Sequence, residues 1–454
     1  MKRSGGLHED DDVARALEWL YETCGDRSQD VKTRVQKAQD TYIRHVGNPN
    51  ERGGDITLDT LGADLVASYL AQADALINNA AAYDLGLGTH VVPFIKQLGE
   101  NLDKVKSIAG ASDRAARMLL SNGSDPSGGF FELVTALRYV QDGYQVEFVP
   151  ERRGISKTAD FQITRAGATQ HVECKRLRSG PYEAKEKSEQ RRIFDRLAEF
   201  VERDRLSLHI DVTYTKELHE IPDGYLASWA EKAITSRLAL TGGYPWKDEI
   251  GFGTVKPANI RAVQKDIRDF YHLLFGSKLA RLLIGHEVQE PYSMAGVFIP
   301  SHHDPRYISE AHAGTVVTWR CVAETSMTNK SRHIKSHLSE IEKQLLEVGE
   351  GVGHIGMDAD GDIDISDLRR AKNYQAVAEF QSRVKINALY LHYFVCRITE
   401  TKSWMIDETV DYFSVTGHLP LTGSGRIFTG GEELLGELPA WHQKPPPLPG
   451  PRKR

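Results

Sequence analysis

Cysteine is scarce, with four in 454 residues. Cys24, Cys174, Cys321 and Cys396 lie far apart and form no CxxC pair, which argues against a zinc ribbon, a thioredoxin motif or a dense disulfide framework. No apolar run approaches the roughly 20 residues of a membrane-spanning helix, and MKRSGGLHEDDD at the N-terminus lacks the apolar core of a signal peptide. A cytoplasmic protein with no membrane partner is therefore expected. Nor does one sign of charge dominate. With a net charge of −6, no global basic field announces nucleic acid, and such a partner would need a local patch.

What is present is the composition of an ordinary globular chain, 40% hydrophobic and 26% charged, long enough for two or three domains. After a polar stretch of about 12 residues, helical periodicity without a fixed repeat fills the rest of residues 1–122, an expected all-α N-terminal region. The breaker cluster SNGSDPSGG then opens a different texture. The helix FFELVTALRYVQDG is followed by the strands YQVEFV, ADFQIT and TQHVECK, a long charged helix, and the strand LSLHIDVTYT, so that residues 123–219 read as an α/β unit. Residues 220–300 read as two helices around the glycine-rich loop TGGYPWKDEIGFGT, a helical insertion or linker. Residues 301–440 form a further α/β region, which is either a second domain or the continuation of the first sheet after an insertion. In it INALYLHYFVC, interrupted by His392, reads as a buried strand. The proline-rich basic tail at 441–454 is expected to be extended and disordered.

The stretch TADFQITRAGATQHVECKRLRSG carries the chemistry. A two-residue turn at Ala166-Gly167 pairs Arg165 with Ala168 and, by continuation, Asp160 with Glu173. Period-two alternation then places Asp160, Gln162, His171, Glu173 and Lys175 on one sheet face, with Phe161, Ile163, Val172 and Cys174 on the other. Like charges directly opposed in a ladder are unfavourable. Two carboxylates so placed suit a hard divalent ion such as Mg²⁺, which takes one or two carboxylates plus water and phosphate oxygens. Lys175, beside Glu173, would orient or activate an attacking water and stabilise charge developing on a phosphodiester. The bland alternative is a solvated, salt-bridged patch.

Glu132 in FFELVTALRYV, then YQVEFV, then Asp160 in TADFQI, then Glu173 and Lys175 in HVECKR resemble the PD-(D/E)xK nuclease superfamily, with a motif like that of its Mrr-like and Holliday-resolvase-like members. The resemblance covers roughly residues 125–215, with Thr158-Ala159 where the name-giving proline would stand. It implies an α/β restriction-endonuclease-like core, a mixed sheet flanked by helices, built as helix, three antiparallel strands, helix and strand. It also implies Asp160, Glu173 and the carbonyl of Cys174 as metal ligands with Glu132 as an extra acid, Lys175 as the catalytic lysine, and Gln190 and His171 in support. The cofactor would be Mg²⁺, with Mn²⁺ as substitute. The implied activity is metal-dependent hydrolysis of phosphodiesters, in DNA rather than RNA, of the kind found in bacterial restriction and antiviral defence. An RNA-directed nuclease and an inactive nuclease-like module that binds nucleic acid or scaffolds a complex are the alternatives. Homo-oligomerisation or a regulatory protein partner is compatible with all three.

Between Glu151 and Leu206 there are 14 Lys or Arg against 10 Asp or Glu. Arg152, Arg153, Arg176 and Arg178 are the expected phosphate contacts, the last two because they leave the catalytic strand directly. Other motifs carry less. MDADGDIDISD has glycine at the fourth position and Arg369 at the closing position of a would-be EF-hand loop, so it reads as an acidic turn. Gly351, Gly353 and Gly356 spell GxGxxG without a following helix, which excludes a dinucleotide site.

Overall fold

The structure is a computed structural model and describes residues 10–46, 53–54, 64–79, 82–121, 125–150, 158–177, 181–236, 242–270, 272, 277–286, 291–302, 307–346, 348–358, 363–380, 385–397, 405–414, 420–423 and 425–428. The N-terminal part comprises α1 (Asp11–Thr23), α2 (Ser28–Val46), the two-residue strand β1 (Gly53–Gly54), α3 (Leu65–Asn78), α4 (Leu85–Glu100), α5 (Leu102–Ser107), α6 (Ala111–Leu120) and α7 (Ser127–Gln141). Aspartates start three of these helices. Asp10, Asp64 and Asp84 each accept an N–H three residues on, at 3.1, 3.1 and 3.0 Å, satisfying donors that a helix leaves open at its start. Arg34 of α2 also forks onto Asp64 at 2.6 and 2.7 Å, which ties two helices at one cap.

The remaining elements are β2 (Gln145–Phe148), β3 (Phe161–Arg165), β4 (Ala168–Leu177), α8 (Pro181–Arg203), β5 (Leu208–Tyr214), α9 (Tyr225–Thr235), β6 (Tyr244–Lys247), β7 (Gly251–Pro257), α10 (Ile260–Asp266), α11 (Ser277–Ile284), β8 (Tyr292–Pro300), β9 (Ile308–Cys321), α12 (Glu324–Leu345), β10 (Glu350–Asp358), α13 (Ile363–Ala378), β11 (Lys385–Arg397) and β12 (Met405–Ser414). They build two six-stranded mixed sheets, ordered β12-β11-β10-β4-β3-β2 and β1-β8-β9-β5-β7-β6. In the first sheet β10 runs parallel to both β4 and β11, and the other pairs are antiparallel. In the second, β5 and β9 are the parallel pair. The fold is α/β, and no described helix is long and apolar enough to cross a membrane.

The expected place of LSLHIDVTYT is corrected. As β5 it lies in the second sheet between β9 and β7, and the position beside β4 is taken by β10 from far along the chain. The cause is packing. Ile193, Phe194, Leu197 and Val201 of α8 share a core with Ile210 and Val212 of β5, so helix and strand leave the hairpin together. Residues 181–321 thus separate β4 from α12 and β10; of the expected C-terminal α/β region, β9 belongs to the second sheet, while β10, β11 and β12 continue the first. The glycine-rich segment expected as a loop contains the β6–β7 hairpin, whose Trp246 and Val255 are buried in the same core.

Helices cover both faces of the first sheet. Buried residues of the N-terminal helices, Phe94, Phe130 and Phe131 among them, join Val172, Cys174, Val352 and Phe394 in one core. On the opposite face Ile334, Leu338 and Ile341 of α12 pack with Leu177, Ile355, Met357 and Leu391. Gly356 of β10 belongs to the first face by need, since a Cβ there would come within 2.8 Å of the Phe131 ring. The GxGxxG pattern therefore records close packing of helix on strand.

Candidate active site

The site grows from the β3–β4 turn. Ala166 and Gly167 have φ of +52° and +80°, as a two-residue turn with both central residues left-handed requires. The ladder then runs Arg165–Ala168, Thr164–Thr169, Gln162–His171 and Phe161–Val172. Asp160 is the next residue, and its backbone is held on both sides: its N–H donates to Val172 O at 3.1 Å and its carbonyl accepts from Val149 at 3.0 Å. Its carboxylate Oδ2 accepts the Cys174 N–H at 2.7 Å. That bond fixes the Asp160 side chain over the strand carrying Glu173 and Lys175.

Glu173 is fully buried. Its Oε1 accepts a hydrogen bond from the Lys175 ammonium, while Oε2 is buried with no donor among the described residues. A carboxylate oxygen so placed is costly unless a cation or a proton meets it. Burial, and after it the nearby Asp160, pushes the Glu173 carboxyl well above the usual range, and Lys175 only partly offsets this. Burial acts to lower the Lys175 pKa, but Glu173 and Asp160 outweigh it and raise the value, which keeps the ammonium charged.

Glu132 approaches from α7. Arg114 of α6 grips it with a fork, Nε to Oε2 at 2.5 Å and Nη2 to Oε1 at 2.6 Å. Burial first, then Asp160, pushes Glu132 up to about 8 against the pull of Arg114 and Lys175. Asp160, Glu173, Glu132 and Lys175 are thus one electrostatic unit assembled from α7 and the hairpin. Arg114 is its unforeseen member, for nothing in the sequence links a residue of DRAARM to an acid on another helix. Compared with protein-family models, with curated proteins and with solved structures, the chain matches none.

Other expected members lie elsewhere. Gln190 is buried in the second sheet's core against Tyr214, because α8 departs with β5; its expected support of the carboxylates is corrected. Arg176 is corrected as a phosphate contact. Alternation along β4 turns it to the face opposite Lys175, where its side chain is 5% exposed, paired with Asp358 and laid against the rings of Phe94 and Phe394. Arg152, Arg153 and Arg178 lie outside the described residues. His171 sits on β4 two residues before Glu173, half-buried, with its pKa lowered by that burial. The Cys174 N–H is committed to Asp160, and its side chain is buried on the α7 face.

The unit can do three things. Its carboxylates can share a divalent ion, Lys175 can direct positive charge at an oxyanion, and Arg114 can hold Glu132 in place. Beside it a groove lined by Asp113, Arg117, Ser121, Phe148 and Pro150 runs between α6 and the end of β2. Val149, which bonds to Asp160, adjoins that groove.

Proposed function

We propose that the chain is a Mg²⁺-dependent nuclease that hydrolyses phosphodiester bonds in DNA, built on a restriction-endonuclease-like core whose halves are separated in sequence. The observation that carries this reading is the buried, donor-free Oε2 of Glu173, in one electrostatic unit with Asp160, Glu132 and Lys175. Topology supports it as well. Taking α7, β2, β3 and β4, then α12 and β10, gives a helix, three antiparallel strands, a helix and a strand parallel to the third. That is the order the resemblance implies, with residues 181–321 as an insertion.

The residues fit a divalent ion. Arg114 and Lys175 offset part of the burial of Glu132, and Lys175 part of that of Glu173, while the Glu173 Oε2 accepts no hydrogen bond among the described residues. Asp160 and Glu173 would hold the ion, with the Cys174 carbonyl available on the strand between Glu173 and Lys175. Bound there, Mg²⁺ supplies Lewis-acid polarisation of a phosphodiester oxygen and lowers the pKa of water. The protein's own part follows from its geometry. The Cys174 N–H orients Asp160, and Lys175, held charged by its carboxylate neighbours, orients the attacking water and stabilises negative charge on the phosphoryl oxygens. Arg114 holds the Glu132 carboxyl in place within the same electrostatic unit.

The test is cleavage of plasmid DNA and of a matched RNA with Mg²⁺ or Mn²⁺, alongside Glu173→Ala and Lys175→Ala. The proposal expects DNA cutting by the wild type, and losses in both variants of at least the ~10²-fold typical of one lost charge-stabilising group. Cutting of RNA alone would replace the substrate. Activity surviving in both variants would remove the catalytic assignment, and retardation of DNA without cutting would favour a binding module.

A further inference from the structure

On the α7 side of the first sheet, away from the proposed nuclease residues, three side chains from three elements converge. His90 of α4, Asp358 at the end of β10 and Cys396 at the end of β11 each offer one ligand atom, and these atoms all lie within 4.8 Å of one another. His90 Nδ1 is 3.3 Å from Cys396 Sγ and 3.5 Å from Asp358 Oδ2. Metal bonds of about 2.0–2.3 Å at tetrahedral angles separate neighbouring ligand atoms by about 3.4–3.6 Å. The His90–Asp358 separation lies in that range, and the His90–Cys396 separation is within about 0.1 Å of it.

The arrangement is unsuited to a nucleophilic relay. In a Cys–His–Asp relay the thiol meets one imidazole nitrogen and the carboxylate the other, whereas here both converge on Nδ1. A single point shared by an imidazole nitrogen, a thiol sulfur and a carboxylate oxygen is what a metal ion needs. Arg176 completes the setting by bonding Asp358 through Oδ1, which leaves Oδ2 toward His90. Outer contacts of this kind orient metal-binding carboxylates. The guanidinium also opposes every cation alike, so the ion retained must gain from thiolate ligation, which favours soft ions over Mg²⁺ or Ca²⁺.

We propose that His90, Asp358 and Cys396 bind a thiophilic divalent ion of the zinc class, with a fourth position open to solvent or an exogenous ligand. The His90 and Asp358 side chains are 42% and 43% exposed, so the ion enters from water. Binding converts the Cys396 thiol to thiolate, and its proton leaves to solvent. The ion ties α4 of the helical N-terminal region to the ends of two parallel strands of the sheet that carries Glu173.

Co²⁺ titration of the full-length, chelator-stripped protein tests this, because only a thiolate ligand gives the sulfur-to-metal charge-transfer band and the Asp160–Glu173 cluster offers oxygen alone. The expected result is one equivalent of Co²⁺ with that band and the ligand-field spectrum of four-coordinate metal. Cys396→Ser removes the band and Cys321→Ser retains it. His90→Ala weakens binding by at least the roughly 10–100-fold that loss of even an outer-shell partner costs. A wild type without the band, a band that persists in Cys396→Ser, or unchanged affinity in His90→Ala overturns the site. Should Cys396→Ser fail to fold, the half-exposed His90→Ala, checked by near-ultraviolet circular dichroism, decides alone. None of these outcomes touches the nuclease reading, whose test uses different residues and a different signal.

Discussion

Asp160 Oδ2 accepts the backbone N–H of Cys174 at 2.7 Å. One bond thereby links the first acid of the hairpin to the strand that carries the second acid and the lysine. Asp160→Ala leaves that N–H without its partner and should cost about 1.5–3 kcal/mol, the range for hydrogen bonds to charged groups. Asp160→Asn keeps an oxygen acceptor and should cost less. Urea unfolding measures both, and nuclease activity should fall in each because the carboxylate charge is gone.

The Arg114–Glu132 fork makes a separate claim. Removing Arg114 as Arg114→Met strands a buried carboxylate, and breaking a buried pair in this way costs about 3–5 kcal/mol. The double variant Arg114→Met with Glu132→Leu should recover most of that loss. A double-mutant cycle in urea checks this, and strictly additive single losses would show that the two side chains do not act as a pair.

Behind the same sheet a hydrogen-bonded chain runs through the core. Tyr139 OH is hydrogen-bonded to His354 Nε2 at 2.9 Å, His354 Nδ1 to His392 Nε2 at 2.9 Å, and His392 Nδ1 to Glu408 Oε1 at 2.7 Å. The N–H groups of Ile427 and Phe428 also donate to Glu408 Oε2, at 3.0 and 2.9 Å. Burial and the neighbouring His392 hold His354 well below the usual imidazole pKa, which keeps it neutral. Tyr139→Phe removes an end member and should cost about 1 kcal/mol, whereas His354→Leu leaves partners unpaired on both sides and should cost about 3 kcal/mol. Equal losses on denaturant unfolding would contradict a chain.

How far the sequence spoke depended on range. The hairpin was legible because turn chemistry and period-two alternation are local, and Asp160, Glu173 and Lys175 lie within sixteen residues of one another. The same alternation puts Arg176 on the face of Cys174, where it meets Asp358 and not phosphate. The partner of β4 was not legible. LSLHIDVTYT and GVGHIGM both read as strands, and periodicity does not say which strand crosses back to a given edge. Gln190 lies with the second sheet because the helix that bears it packs on β5. The Arg114–Glu132 fork and the meeting of His90, Asp358 and Cys396 depend on helix packing across long stretches of chain, which no local pattern encodes.

Acid should weaken the second sheet through His209. Burial, with help from His286 and Lys256 and against the pull of Asp211, pushes this imidazole down to about 4. A histidine with a depressed native pKa stays neutral in the fold while the unfolded chain takes up a proton. Its contribution is complete above about pH 6.5 and is lost as pH falls toward 4. The slope from this group is at most about 1.4 kcal/mol per pH unit. Urea midpoints measured across that window should fall less steeply in His209→Gln than in the wild type.

The central claim is that Asp160 and Glu173 hold a divalent ion at which a phosphodiester is cut. Anomalous diffraction from crystals grown with Mn²⁺ tests it most directly. The account predicts a peak bonded by carboxylate oxygens of both Asp160 and Glu173, with Lys175 beside it, and its disappearance in Glu173→Ala crystals. A well-ordered hairpin with no peak between these two side chains would contradict it, as would a peak that persists in the variant.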